Sequence, residues 1–424
     1  MRRIVEVLSL VLLLAVFVEA KTIAIKAGLL IADARKAPIP NAVLIVEDGK
    51  ITSVGSAIPP GAEVIDLSDF TVMPGLMDGH AHLWTSDKPH PLLEMSASER
   101  ALYAQLSVRN ALESGVTSMR VLGSDDFLDV ALRNAINAGL IPGPHILAAG
   151  YALSIIGGHG DYLPFSNTLR FDDYYTTVHG FVDSPDQVEQ AVHWQVKYGA
   201  DLIKILASGG ASSPLDDSTQ ESLSPEEVHR AATVAHALGK RIAAHAQNNR
   251  SIRSCIEAGV DSIEHGSELD EATIALIKQR HIYLDMAPIH RLEAAGKKFA
   301  DSQEAKWVKR RKLYNMQMAS FQLALKSDGV LWSAGSDVSY APNTPTLTTE
   351  LEKWVELGMP TRVALVAATI NNASLFDMSD RGTLEAGKAA DMIAVRGNPL
   401  EHIQALEQIV LVMKAGTVYV NKVR

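Results

Sequence analysis

Short apolar runs alternate with helical segments through the middle of the chain. The runs end near Leu83, Leu122, Gly150, Ala207, Ala246, His265, Ala287 and Asp337. Helix signals lie between them: Ser224-Pro225 offers a capping serine and a first-turn proline, Glu227 completes a capping box, and Gly239 ends the helix before the next strand. Eight such units predict a parallel (β/α)8 TIM-like barrel over residues 73–381, so the chain belongs to the α/β class.

Two connections in this barrel are longer than a simple turn. Residues 151–183 follow the third strand and are rich in Gly, Asp, Tyr and Phe, and residues 288–328 follow the seventh and have helical character. Long loops on the carboxyl side of barrel strands usually shape an active site, so we expect both segments to face the substrate.

Strand-like segments flank the barrel at both ends of the chain. Residues 21–72 and 382–424 contain β-branched residues interrupted by Gly, Asp and Pro, and Asp48-Gly49 is typical of a hairpin turn. These two segments predict a small β-sandwich domain built from both termini.

The first twenty residues have a different composition. Arg2 and Arg3 precede the apolar run LSLVLLLAVFV, which is short for a membrane span, and Ala20 is a small residue at the expected cut. Residues 1–20 are therefore predicted to be a signal peptide that exports the protein to the periplasm or the exterior. No membrane contact is expected after cleavage; an uncleaved anchor is the alternative.

Charge and cysteine content exclude some classes of function. The 424 residues carry a formal charge of −10 and show no basic stripe, which argues against a nucleic-acid partner. The single cysteine, Cys255, rules out an intramolecular disulfide. An acidic barrel of this kind is compatible with a homo-oligomer, which we expect here.

Candidate metal ligands stand at the ends of several predicted strands. His80 and His82 are two apart on an extended strand and so point to one side. Lys204 interrupts the apolar strand DLIKILA, where a buried lysine is costly unless it is neutralised or paired. Since strand ends meet at one face of a barrel, these groups are expected to converge on divalent ions such as Zn²⁺. The predicted ligands are His80, His82, Lys204, His245, His265 and Asp337.

A pair of cations needs a bridging anion. The amine of Lys204, kept neutral by burial, can react with CO₂ to form a carbamate, which would convert the lysine into a bridging carboxylate. This step is a chemical inference from the buried position of the lysine.

Several motifs resemble those of the amidohydrolase superfamily, in its binuclear subtype with a carboxylated lysine. PGLMDGHAHL resembles the first-strand motif of the superfamily, and GTLEAGKAADMIAV resembles the motif of its C-terminal β-domain. GVTSMRVLG, GGHGD and IKILASGGASSP resemble imidazolonepropionase-like members that act as Xaa-Pro or related dipeptidases, a group that includes ochratoxin-hydrolysing amidohydrolases. The resemblance implies two divalent ions, taken as zinc. His80, His82 and Asp337 would hold one ion, His245 and His265 the second, and carboxylated Lys204 would bridge both.

The resemblance also implies a reaction. A hydroxide that bridges the metals would hydrolyse the amide bond of a small-molecule substrate, either a dipeptide or an N-acyl amino acid. Asp337 would take the proton of the water and pass it to the leaving amine, and His159 would hydrogen-bond the substrate carbonyl.

The substrate contacts follow less directly. His159, His290, Tyr151 and Tyr340 lie on predicted carboxyl-end loops and are candidates for substrate binding, while histidines such as His179 are predicted to be structural or exposed. After Asp337, VSYAPNTPT departs from the Gly- and His-rich loop of many relatives, so the substrate stays open.

Two other functions remain alternatives at this point. The same metals could hydrolyse a cyclic amide, a lactone or a phosphotriester, because fold and metals do not set the substrate. A catalytically inactive amidohydrolase fold used for assembly would show lost metal ligands, whereas every expected ligand is present in this sequence.

Overall fold

The computed structural model describes residues 22–83, 91–163, 173–210, 216–342 and 344–423. The predicted signal peptide, residues 1–20, lies outside the described residues, as does part of the predicted loop 151–183. None of the described helices combines the length and apolar character needed to cross a bilayer.

Strands and helices alternate through the middle of the described chain. The strands are β1 Ile23–Leu30, β2 Ile39–Pro40, β3 Val43–Glu47, β4 Lys50–Gly55, β5 Glu63–Pro74, β6 Leu76–Ala81, β7 Val116–Val121, β8 His145–Ala148, β9 Leu202–Leu206, β10 Arg241–Ala246, β11 Ser262–His265, β12 Tyr283–Asp285, β13 Leu331–Trp332, β14 Met392–Val395, β15 Ile409–Lys414 and β16 Thr417–Asn421. The helices are α1 Pro91–Glu94, α2 Ala97–Glu113, α3 Leu128–Asn137, α4 Pro185–Lys197, α5 Pro225–Ala237, α6 Asn249–Ala258, α7 Glu271–Gln279, α8 Ile289–Lys298, α9 Ala305–Leu325, α10 Leu347–Glu356, α11 Thr361–Val366 and α12 Asn372–Leu375.

The middle of the chain is built on parallel strands in sequence order. β6 to β8 form one parallel sheet and β9 to β13 form a second. Backbone hydrogen bonds link the two sheets at both edges: Leu153 N donates to Lys204 O at 2.9 Å, and Asp337 N donates to His80 O at 2.7 Å. The predicted α/β class, with successive parallel strands separated by helices, is confirmed.

Local capping signals place the helices as the sequence predicts. At the start of α5, Ser224 Oγ accepts a hydrogen bond from Glu227 N at 3.3 Å, and Glu227 Oε2 accepts one from Ser224 N at 2.7 Å. At the end of α6, Gly259 takes a positive φ of 82°, which a residue with a side chain adopts at a cost. The short turn that follows leads directly into β11.

The two long connections also match the sequence. The connection after β12 contains α8 and α9, as the helical pattern of residues 288–328 predicts. The connection after β8 has little regular structure among its described residues. Both start at the carboxyl ends of parallel strands, which is where the predicted ligands lie.

The terminal segments meet in one eight-stranded sheet with the order β16-β15-β14-β5-β1-β3-β4, and β2 pairs with β1. The long strand β5 joins the two segments, since it runs parallel to β1 and antiparallel to β14. The predicted turn at Asp48-Gly49 connects β3 and β4, and both residues have positive φ. The sequence predicts a sandwich here; the hydrogen bonds join all the strands into one sheet, and apolar side chains from both halves share one core.

Candidate metal centre and active site

Two histidines and an aspartate meet at the junction of β6 and β13. His80 and His82 come from the end of β6, and Asp337 follows β13. Asp337 Oδ1 lies 3.1 Å from His82 Nε2 and 3.8 Å from His80 Nε2. One possible ligand atom from each residue lies within 4.8 Å of the others, a spacing that a single metal ion can fill.

The predicted histidines of later strands join this group. The ring centroids of His80 and His265 are 5.1 Å apart, and those of His265 and His245 are 4.6 Å apart. His245 in turn stacks on His159, with centroids 4.3 Å apart. Side chains that are far apart in sequence therefore form a continuous row of imidazoles at the carboxyl ends of the strands.

Backbone carbonyls fix the proton positions on two of these rings. His265 Nδ1 donates to Ala287 O at 2.6 Å, and His245 Nε2 donates to Gly209 O at 3.1 Å. Because a carbonyl only accepts, the other nitrogen of each neutral ring carries a lone pair. Burial lowers the pKa of His265 to about 3 and that of His245 well below its usual value, so both rings are neutral near pH 7. Neutral imidazole is the form that binds metal.

Lys204 points its amine into the same region from the middle of β9. The side chain is 2% exposed, and Nζ has no hydrogen-bond partner among the residues that the structure describes. Burial lowers the pKa of this amine to about 8, although Glu264 acts in the opposite direction. An orphaned amine among neutral imidazoles and a carboxylate fits a site for a metal pair with a carbamate bridge.

The buried carboxylate of Glu264 orients the predicted metal ligand His80. Glu264 is fully buried, and it accepts hydrogen bonds from His80 Nδ1 at 3.1 Å and Arg120 Nη2 at 3.0 Å. Burial would raise the pKa of Glu264, but Arg120 and His80 outweigh it and hold this pKa below the usual range. The ionised carboxylate thus leaves His80 Nε2 for a metal. Sequence reasoning missed Arg120 and Glu264, although each is a charge inside an apolar strand, the same signal that identified Lys204.

Tyr340 pairs with a buried carboxylate and not with a predicted metal ligand. It is 1% exposed, and its hydroxyl donates to Asp78, which also accepts from the backbone N–H groups of His80 and Ser336 at 3.0 Å each. Tyr340 is not among the described residues that line the cavity. Its predicted role in substrate binding is therefore corrected: the phenol provides a partner for a buried carboxylate.

His290 also pairs with a buried carboxylate. Its Nδ1 donates to Glu350, whose Oε2 also accepts from the His290 backbone N–H at 3.1 Å, and the ring is not among the described cavity-lining groups. The predicted substrate contact of His290 stays a prediction, since its Nε2 has no hydrogen-bond partner among the described residues. Its neighbour Arg291 does line the cavity, and Arg291 Nη2 donates to Asp337 Oδ2 at 2.8 Å.

A cavity of about 570 Å³ opens above the row of imidazoles. This volume suits a small-molecule ligand. Its walls include Tyr151 and His159, as the sequence predicts, and also Asp125, Tyr174, His179 and Arg310, which sequence reasoning did not select. His179 in particular was expected to be structural or exposed.

His159 is held on three sides. Its ring stacks on His245, and a side chain at Gly210 would approach the other atoms of the ring to within 2.0 Å, so only glycine fits there. Its Nδ1 donates to Asp216 Oδ2 at 3.2 Å, and Lys309 Nζ of α9 donates to Asp216 Oδ1 at 3.0 Å. The connection after β12 therefore bonds to the group that orients His159.

Comparisons with known proteins agree with this geometry. The sequence profile of the amidohydrolase family matches residues 71–419. The ochratoxinase of Aspergillus niger is 32% identical over 414 residues, covering 92% of this chain and 84% of that protein. A crystal structure of a Xaa-Pro dipeptidase with methionine bound in the active site has a TM-score of 0.88 and 30% identity, covering 95% of this chain and all 100% of that one. The imidazolonepropionase of Deinococcus radiodurans is 27% identical, covering 85% of this chain and 86% of that protein. These matches confirm the resemblance inferred from the sequence motifs.

Proposed function

This chain belongs to the amidohydrolase family, and we propose that it hydrolyses the amide bond of dipeptides or N-acyl amino acids at two divalent metal ions. Its relatives make it a hydrolase acting on carbon–nitrogen bonds. The observation that carries the proposal is the convergence of His80, His82 and Asp337 with the rings of His245 and His265 below one cavity.

The donor set divides between two ions. His80, His82 and Asp337 would hold the first ion, and His245 and His265 the second, with zinc as the metal that suits nitrogen and oxygen donors. Lys204, carboxylated by CO₂, would bridge both ions and relieve the burial of its unpaired amine. Bound there, the ions would lower the pKa of a water molecule and polarise the substrate carbonyl.

The residues of the chain would move the proton and hold the substrate. Burial raises the pKa of Asp337, but Arg291 and the hydrogen bond of His82 outweigh it and keep the carboxylate ionised. Asp337 can therefore accept a proton from water and give it to the leaving amine. The Asp216 carboxylate orients the ring of His159, which would hydrogen-bond the carbonyl oxygen of the substrate.

A substrate screen tests the reaction. Metal-loaded protein is incubated with dipeptides and N-acyl amino acids, including Xaa-Pro and aromatic leaving groups, and release of the free amine is measured against chelator-treated protein. The proposal expects metal-dependent release. Turnover confined to cyclic amides, lactones or phosphotriesters would overturn it, and a folded protein that takes up no metal would favour an inactive fold used for assembly.

The bridging role of Lys204 has its own test. Lys204→Ala should lower the metal content of the purified protein, whereas Lys297→Ala, at a lysine that is 72% exposed, should not. Carbon-13 NMR after incubation with labelled CO₂ should show a carbamate in the parent protein and none in Lys204→Ala. Unchanged metal stoichiometry in Lys204→Ala would rule the bridge out.

We also propose the domain organisation, export and assembly of the protein. The two linked parallel sheets would form one closed (β/α)8 barrel, and residues 21–72 and 382–424 a separate composite β-domain. Residues 1–20 would direct export as a signal peptide, which N-terminal sequencing of the secreted protein tests. The protein would assemble as a homo-oligomer, which light scattering in solution tests.

A further inference from the structure

One wall of the cavity combines an acid with aromatic rings. Asp125 lies in the connection after β7, and it lines the cavity together with Tyr151, Tyr174 and His179. We call these four side chains the acidic-aromatic subsite. None of them is a predicted metal ligand, and they share the cavity with the unpartnered amine of Lys204.

The rings of the subsite contact one another and the acid. Tyr174 stacks on His179 with centroids 5.1 Å apart and planes 16° apart, and Tyr151 meets His179 edge-on at 5.2 Å. The Asp125 carboxylate also interacts electrostatically with the hydroxyl of Tyr174. The subsite is therefore a fixed corner of aromatic surface with one carboxylate.

The electrostatics of this corner favour a cation. Burial and the neighbouring Asp126 raise the pKa of Asp125 to about 7, with Arg100 acting in the opposite direction. Arg100 forms its ion pair with Asp126, which is not among the described residues lining the cavity. A cation entering the cavity would favour the ionised form of Asp125. A carboxylate flanked by aromatic rings is the chemistry that recognises an organic ammonium group.

A different part of the wall carries the opposite charge. Arg291 and Arg310, from the connection after β12, both line the cavity, and burial together with Arg291 lowers the pKa of Arg310. The cavity thus has an acidic part and a basic part. A dipeptide carries an ammonium group in its acyl half and a carboxylate on the leaving amino acid, whereas an N-acyl amino acid carries only the carboxylate.

We propose that the acidic-aromatic subsite binds an ammonium group in the acyl half of the substrate, so that free dipeptides are hydrolysed in preference to N-acyl amino acids. This inference rests on the proposed amide hydrolysis and narrows its substrate class.

Substrate pairs that differ only in the ammonium group test the preference. Alanylphenylalanine is compared with propionylphenylalanine, and other leaving residues are tested in the same way. We expect kcat/KM to be roughly 10- to 100-fold higher for the dipeptide, the range of a hydrogen-bonded ion pair. Equal values for the two compounds would overturn the subsite while leaving amide hydrolysis intact.

Variants locate the preference. Asp125→Asn should reduce the ratio of the two kcat/KM values to about 1, because the ammonium loses its counter-charge. Asp186→Asn is the control, since this aspartate is 95% exposed and is not among the described residues that line the cavity, and it should keep the parent ratio. The same loss of preference in both variants would overturn the assignment to Asp125.

A binding measurement separates this inference from catalysis. The full-length protein is titrated calorimetrically with n-butylammonium and with 1-butanol, its neutral counterpart. The subsite should bind the cation in preference to the alcohol, and Asp125→Asn should weaken cation binding by roughly tenfold. Equal binding of both probes would overturn the subsite. Preferential cation binding by a protein that hydrolyses no amide would support the subsite and refute the proposed reaction instead.

Discussion

The floor and the rim of the cavity are built in different ways. The floor consists of the predicted metal ligands, which stand on or shortly after parallel strands and bond to other strand residues such as Glu264. The rim consists of side chains from the connections after β7, β8, β9 and β12, several of which bond to one another, as in the series His159, Asp216 and Lys309. Strands hold the metal-ligand candidates in place, while the connections determine which molecules can reach them.

The largest expected effect concerns the proton carrier on the floor. Asp337→Asn should lower kcat by about 10²- to 10⁴-fold, because an amide cannot accept and return the proton. The variant keeps the size of the side chain, so the thermal midpoint and the metal content should stay close to those of the parent protein. Steady-state kinetics and metal analysis on the same sample test this. Near-full activity would show that another group carries the proton.

The second-largest expected effect concerns the stability that Glu264 provides next to the metal ligands. Glu264→Gln should lower the free energy of unfolding by about 3–5 kcal/mol, because it leaves Arg120 buried without a counter-charge. The control is Glu113→Gln, which removes the exposed partner of Arg109 and should cost at most about 0.5 kcal/mol. Urea unfolding of the metal-free proteins measures the loss of unfolding free energy in both variants. Similar losses in the two variants would show that the buried pair contributes no more than a surface pair.

Glu264→Gln should also lower the affinity of the site for metal. Since Glu264 orients His80 through Nδ1, its loss should weaken metal binding by about 10- to 100-fold, a range seen for outer partners of ligating histidines. Competition with a chromophoric chelator measures the affinity. An unchanged affinity would mean that the strand backbone alone fixes His80.

The floor could be predicted from the sequence because strand geometry is regular. Residues two apart share a side, and strand ends of a parallel barrel share a face, so His80, His82, His245 and His265 could be placed together without coordinates. Lys204 stood out because a charge in an apolar strand needs a reason. The same reasoning could have found Arg120 and Glu264; they were missed because their partners lie on other strands.

The rim could not be predicted in this way. A residue just after a strand can face the cavity or the layer behind it, and sequence does not settle the direction of an irregular loop. His159 and Tyr151 face the cavity, whereas His290 and Tyr340 pair with buried carboxylates. Asp125 lines the cavity although the sequence did not indicate it. The two residues after it, Asp126 and Phe127, have positive φ, and no turn signal in the sequence predicts this backbone conformation.

A smaller effect is expected on the rim itself. Asp216→Asn should lower kcat by about tenfold, because His159 loses the carboxylate that orients its ring. The control is Asp217→Asn, since Asp217 accepts hydrogen bonds from Thr219 at 2.8 and 2.7 Å and contacts no cavity residue among these bonds. Steady-state kinetics measures kcat and KM separately for Asp216→Asn and Asp217→Asn. Equal kinetic effects would show that the loop conformation, and not the contact with His159, limits turnover.

The smallest expected effect tests the correction of Tyr340. Tyr340→Phe removes one donor from the buried Asp78 carboxylate and should lower the free energy of unfolding by about 1 kcal/mol. Because its hydroxyl bonds to Asp78 and Tyr340 is not among the described cavity-lining residues, KM for a good substrate should change less than about twofold, in contrast to Tyr151→Phe, which alters the cavity wall. A raised KM with unchanged stability would place the Tyr340 hydroxyl on the substrate side, and the division between a strand-built floor and a loop-built rim would then fail at this residue.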